Sequence, residues 1–273
     1  MKNVINISIR LIETIDELHK VHALEAGIWG ENDTVPISHM TASLKNGGLI
    51  VGAFDEDRLI GFQYSFPGFD GQNVYLYSHN LGIHSDYRKL GIGEQLKLEQ
   101  KQAALKLGYS RIIWTYDPLE TVNANLNLHK LRARVISYTE NAYGDMTGGI
   151  NGGIPTDRFT VEWMIQEQSS RTSSPDLHTI PLLIDTRCSH GFLIAEKSHW
   201  RKGDQLVGVP VPANFQELKQ HDFNEAMIWR EKTREIFEDY LENGWIVTDL
   251  VKHPGVQEGY VYILEKRGIS HGN

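Results

Sequence analysis

Cysteine is nearly absent. Cys188 is the single one in 273 residues, which excludes an intrachain disulfide and a zinc site built on several thiolates. Long apolar runs are missing as well: no stretch approaches the roughly 20 apolar residues that cross a bilayer. The opening segment MKNVINISIRLIETIDELHK carries acids where a secretory leader has its apolar run. These absences lead us to expect a soluble, cytoplasmic protein with no membrane partner. A basic excess is lacking too, since the formal net charge is −8. That argues against a nucleic-acid partner, whose phosphates need a basic surface, and leaves room for a local basic pocket that takes a small anion. His19 and His22 are the nearest thing to a metal-ligand pair, and no carboxylate is arranged around them, so no metal is expected. What remains is ordinary globular composition, 40% apolar and 23% charged. The length suits two lobes.

The periodicity predicts a strand at Asn6 to Leu11, then a helix over Thr14 to Trp29 that opens on a Thr14/Glu17 capping box. A second helix runs from near Pro36 to the Gly47-Gly48 pair. Strand-like runs at Leu49 to Phe54, Leu59 to Phe66 and Val74 to Ile83 follow as a meander. Next come a helix at Glu94 to Leu107, a strand at Arg111 to Tyr116, a helix at Val122 to Leu131, and strands at Val135 to Thr139 and Phe159 to Ile165. The glycine-rich stretch Gly144 to Gly153 lacks the Lys-Ser/Thr of a phosphate loop and is expected to be a loop. A polar linker at 169–176 is expected to separate a first domain, 1–168, from a C-terminal α+β lobe, 177–273. In that lobe the pattern predicts strands at Leu182 to Asp185, Phe192 to Ala195, Leu206 to Val211, Trp245 to Val251 and Tyr260 to Glu265. One long helix is predicted from Phe215 to Asn243.

Chemistry concentrates between Leu81 and Gly93. The run Leu81-Gly-Ile-His-Ser-Asp-Tyr-Arg88-Lys-Leu-Gly91-Ile-Gly93 ends a strand, turns through glycines and opens a helix. Such a turn presents consecutive amides at a positive helix end, which suits a pyrophosphate. Gly91 and Gly93 allow close approach, and Arg88 and Lys89 add charge.

Arg-x-x-Gly-x-Gly after an apolar strand resembles the acyl-CoA signature of the GNAT superfamily of N-acyltransferases, and the order of elements from 6 to 165 is similar to that family's. The resemblance implies an α/β fold of the α+β kind: a mixed, mostly antiparallel central sheet flanked by helices, with the C-terminal lobe added. It implies acetyl-CoA or another acyl-CoA, succinyl-CoA included, as the cofactor. The amides of Arg88, Lys89, Leu90, Gly91, Ile92, Gly93 and Glu94 would cradle its pyrophosphate, and the backbone at Leu81 and Ile83 would meet its pantetheine arm. Asn123 and Asn127 resemble the second motif's pantetheine-binding asparagine. That motif's tyrosine acid is replaced here by His129, whose ordinary pKa of about 6.5 suits proton donation.

Amine attack on a thioester requires loss of a proton from the ammonium. His79, nine residues before Arg88, is the first candidate base and is similar to a histidine found there in arylalkylamine acetyltransferases; Asp117 is the second. A narrower resemblance, carried by Thr115 to Leu119, Asn127 to Leu131, Asp157-Arg158-Phe159, Trp163, Trp229-Arg230 and Thr233-Arg234, is to a bacterial GNAT group with a C-terminal extension. It implies amino-acid acceptors and succinyl transfer. A carboxylate on either substrate would call for a buried arginine; Arg158 is the candidate and Arg230 and Arg234 are reserves. On their own helix, Arg230 and Arg234 are expected to form a solvated charged face, and Arg158 to pair with Asp157. The expected activity is acyl transfer to the primary amine of a small molecule, and the chain is compatible with a homodimer. A non-catalytic acyl-CoA sensor and a protein N-acetyltransferase are the alternatives.

Overall fold

Thr14 accepts from the amide of Glu17, and the Glu17 carboxylate accepts from the amide of Thr14 at 3.2 Å, so a reciprocal cap opens α1 (Ile15–Trp29). Such a cap contributes about 1 kcal/mol. A computed structural model describes residues 7–144, 153–167 and 176–267. The loop expected at 144–153 and the linker expected at 169–176 lie almost wholly outside the described residues. The chain groups into two compact units, Met1–Trp114 with Met164–Gln168, and Thr115–Trp163 with Ser169–Asn273.

In the first unit β1 (Ile7–Leu11), β2 (Leu49–Asp55), β3 (Arg58–Phe69) and β4 (Val74–Ile83) pair antiparallel in that order. The strand β5 (Arg111–Tyr116) pairs parallel to β4 through Leu76↔Ile112 and Tyr77↔Ile113. The second helix is α2 (Ile37–Lys45) and the third is α3 (Ile92–Lys106). Leu18, Val21, Met40, Ile50, Phe62 and Tyr64 form the core over which α1 and α2 pack. Burial of this kind contributes about 25 cal/mol per Å² of apolar surface.

In the second unit β6 (Arg134–Thr139), β7 (Arg158–Met164), β10 (Leu206–Pro212), β11 (Trp245–Val251) and β12 (Gly259–Lys266) form an antiparallel sheet in the order β7-β6-β11-β12-β10. A hairpin of β8 (Ile184–Ser189) and β9 (Phe192–Ser198) stands beside it. The mixed, mostly antiparallel sheet with flanking helices is the expected fold class.

Three elements depart from expectation. The single helix at 215–243 is two, α5 (Phe215–His221) and α6 (Phe223–Glu242), because Asp222 takes an extended backbone and caps α6 by accepting from the amide of Glu225. The helix at 122–131 is one α-turn, α4 (Thr121–Ala124), that widens into a π-helix over Asn125–Lys130. Finally, Leu182 lies outside β8 and makes an isolated parallel bridge to Gly208.

Candidate functional site

The turn after β4 has the backbone its glycines suggest. Lys89 and Gly91 both take left-handed conformations, with φ of 66° and 78°, and Gly91 starts α3 with no side-chain cap. A Cβ at Gly91 would meet nothing within 4 Å, so the space before the helix end is open. Ile92 and Gly93 are buried in the first turn, while Arg88, Lys89 and Leu90 are exposed. An uncapped helix end with exposed cations beside it favours an anion. Leu81 and Ile83 stand half-buried on β4 just before this turn. β4 itself runs on to Ile83 after its last listed pairing with β5 at Tyr77.

His79 sits at a bulge. Tyr64 faces Asn80 and Ser65 faces Ser78, so His79 is the residue left without a partner on β3. The bulge puts it among rings: Tyr64 at 6.0 Å, Phe66 at 5.6 Å and Tyr77 at 6.4 Å between centroids. His39 from α2 lies in contact with Phe66 and shares a 3.0 Å hydrogen bond with the Tyr64 hydroxyl. His79 is exposed at the surface, yet these rings strip enough water from it to push its imidazole below the ordinary value, and the nearby His39 adds to the shift. A neutral imidazole at physiological pH is a competent base. Next to it, Asn80 donates 2.5 Å to Glu25, whose other oxygen accepts from the amide of Val35 at 2.9 Å. Burial raises the Glu25 pKa, against the pull of those two donors.

The opposite face of the same strands holds residues that the sequence reading missed. Lys97 of α3 is buried at 3% exposure, donates 2.7 Å to Ser78 Oγ and lies 3.7 Å from the centroid of the Trp114 ring. Gln63 donates to Ser78, Ser65 donates to Gln63, and Gln100 donates to Ser65. Burial pushes the Lys97 ammonium well below its usual pKa. The available signal was Lys97 and Gln100 on the same helical stripe as Ile92, Leu96 and Ala104, where an amphipathic helix carries apolar residues.

The second unit collects the other candidates. Asp117 is buried, with Oδ1 accepting from the amide of Leu119 at 2.9 Å and Oδ2 from Arg230 Nη2 at 2.6 Å. Arg158 approaches the same oxygen at 3.7 Å. The expected pairing of Arg158 with the Asp157 carboxylate is not what forms: Arg158 donates to the Asp157 carbonyl at 3.2 Å. That carboxylate is taken instead by the Arg234 fork at 2.9 and 3.0 Å and by the Tyr138 hydroxyl at 2.5 Å. The expectation of a solvated Arg230/Arg234 face is therefore overturned. Arg230 is 1% exposed, because α6 turns this side of its surface into a core of Phe159, Phe237 and Tyr262.

His129 is exposed at the end of the π-helix, 3.1 Å from Asp249, which also accepts from Arg132 at 3.4 Å. Asn127 is buried and Asn123 exposed. Among the described residues no group of three or more His, Cys, Asp or Glu is placed to hold a metal ion, and no helix is long and apolar enough to cross a membrane.

Residues 16–133 match the model of the Acetyltransferase (GNAT) family. No curated protein sequence matches the chain significantly. Among solved structures the chain is similar to the NatC complex bound to Gag peptide and CoA, at 13% identity over 58% of this chain and 98% of that one, with a TM-score of 0.49. It is also similar to the ribosomal-protein-S18-alanine N-acetyltransferase from Escherichia coli, at 14% identity over 62% and 100%, with a TM-score of 0.48. A third likeness is to aminoglycoside 6'-acetyltransferase type Ii, at 18% identity over 59% and 99%, with a TM-score of 0.47.

Proposed function

Since residues 16–133 form a GNAT-family acetyltransferase domain, we propose that the protein transfers an acetyl or succinyl group from acyl-CoA to the primary amine of a small molecule, amino acids included. Attack is direct, in a ternary complex. The observation that carries this reading is the uncapped start of α3 behind the left-handed Lys89 and Gly91, a backbone suited to a pyrophosphate. In it the amides from Arg88 to Glu94 hold the cofactor's phosphates, and β4 at Leu81 and Ile83 takes the pantetheine. Asn123 and Asn127 belong to the same cofactor site.

His79 is the proposed base. Its lowered pKa keeps it unprotonated and ready to take the ammonium proton as nitrogen attacks the thioester carbon. The carbon–sulfur bond then breaks, and the thiolate leaves with a proton from a general acid, for which His129 is the proposed donor. Asp117 is the weaker candidate base, since both of its oxygens already accept hydrogen bonds. Arg158 is the proposed partner for a substrate carboxylate: its guanidinium is partly exposed and its nearest listed carboxylate is 3.7 Å away.

The deciding experiment is release of free thiol from acetyl-CoA and succinyl-CoA with a panel of amines and peptides. Turnover with small amines is expected. CoA binding without thiol release from any pair would make the protein a sensor, and turnover confined to peptides would make it a protein acetyltransferase. With a carboxylate-bearing substrate, Arg158→Lys should raise KM about tenfold or more, as expected for loss of a bidentate contact.

A further inference from the structure

One face of α1 carries Lys20, Ala23, Gly27 and Ile28 at helical spacing, and together with the β2–β3 turn and the turn after β4 it walls an open cleft of about 560 Å³. That volume lies in the range of small-molecule sites. Leu24, Ile28 and Leu59 give the cleft an apolar floor, while Lys20, Arg58 and Arg88 bring three cations to its rim. Asp57 is the one acid among the lining residues.

The cations are not neutralised by each other's surroundings. Among the described residues none of the three forms an ion pair with a carboxylate. Lys20 donates to the Asp57 carbonyl at 3.3 Å, Arg58 bonds a ring nitrogen of His84 at 3.0 Å, and Arg88 donates to the Ile83 carbonyl at 3.4 Å. Each therefore keeps protons to donate. Three like charges around one cleft raise a positive potential that the low-dielectric floor concentrates. In a chain of net charge −8 this is a local reversal of sign.

The face of α1 is also cut back to leave room. Gly27 lies in mid-helix, where alanine would be more stable by about 1 kcal/mol, and a Cβ placed there would meet nothing within 4 Å. The missing side chain opens the cleft and meets no packing requirement.

We propose that this cleft binds a phosphate-bearing ligand of nucleotide size, its phosphates held by Lys20, Arg58 and Arg88 and its ring laid on the apolar floor beside Gly27. Arginine and lysine at one rim suit a compact multivalent anion, and the floor gives it a reason to carry a flat apolar body. Two sources share this chemistry, a free nucleotide and the nucleotide end of CoA itself. The inference does not rest on acyl transfer, because binding is read without an acyl donor.

The test is calorimetric titration of the full chain with adenosine 3′,5′-bisphosphate. Binding is expected, weakened about tenfold or more by Gly27→Leu, which fills the cleft, and likewise by the Lys20→Ala/Arg58→Ala pair. Gly27→Leu should leave the melting temperature unchanged or higher, which separates blocking from unfolding. If CoA is the source, Gly27→Leu also raises KM for acyl-CoA. If a free nucleotide is the source, that KM stays constant while bisphosphate binding is lost. Absence of binding to the unaltered protein, or binding undiminished in both variants, overturns the proposal.

Discussion

Arg230 Nη2 donates 2.6 Å to Asp117 Oδ2 across 113 positions of sequence, and the remaining Arg230 nitrogens, Nε and Nη1, are buried with no hydrogen-bond partner among the described residues. Phe215 lies under the guanidinium, with its centroid 5.4 Å from the central carbon. Burial works against the Arg230 charge, and the adjacent Asp117 carboxylate outweighs it, so the pKa is raised.

Breaking this pair should be costly. Arg230→Ala leaves Asp117 as a buried charge with only an amide donor, and a loss of about 3–5 kcal/mol is expected. Removing both charges in Asp117→Asn/Arg230→Met should recover most of it. Urea denaturation of the three variants checks this; equal losses in the single and double variants would mean that the pair is not coupled.

His79 sets the pH dependence of the proposed reaction. A base must be deprotonated, so kcat/KM should rise with pH and level off above the His79 pKa, which the surrounding rings and His39 hold below the ordinary 6.5. His79→Gln should flatten that limb and leave KM for acyl-CoA unchanged. An unaltered profile would remove His79 as the base.

Lys97 makes stability depend on pH in a definite sense. Its folded pKa lies well below the usual value, so the unfolded chain binds more protons and this contribution to stability rises with pH up to the unfolded pKa of about 10.4. Lys97→Met should therefore raise the melting temperature near neutral pH, with a gain that shrinks as pH approaches 10. A gain that does not vary with pH would show that Lys97 is uncharged, or equally hydrated, in both states.

Gly91 tests the cofactor turn. Its φ of 78° costs a residue with a Cβ about 1–2 kcal/mol, and the atom would project into the open space before α3. Gly91→Val should raise KM for acyl-CoA about tenfold or more, and the amine KM should move little. Equal changes in both would point to general loss of the fold.

The elements whose cause is local were legible in the sequence. The Thr14/Glu17 cap, the stop at Gly47-Gly48 and the strand–turn–helix from Leu81 to Gly93 depend on neighbouring residues, and the chain forms each of them. Asp222 was missed as a breaker because the apolar periodicity continues through it on both sides, and only its extended backbone and its cap on Glu225 divide the helix. The charges were misread for a related reason. Arg230 and Arg234 one turn apart resemble a solvated face until strands distant in sequence close over them.

The sequence by itself determined the turn at 88–93, its glycines and the order of elements around it, because backbone conformation and helix polarity are set within a few residues. Tertiary structure decided which charges are buried and with whom: Arg230 with Asp117, Arg234 with Asp157, and Lys97 beneath β4 with no acid among its listed partners. Those choices rest on contacts between residues far apart in the chain, where desolvation makes the partner matter more than the residue type.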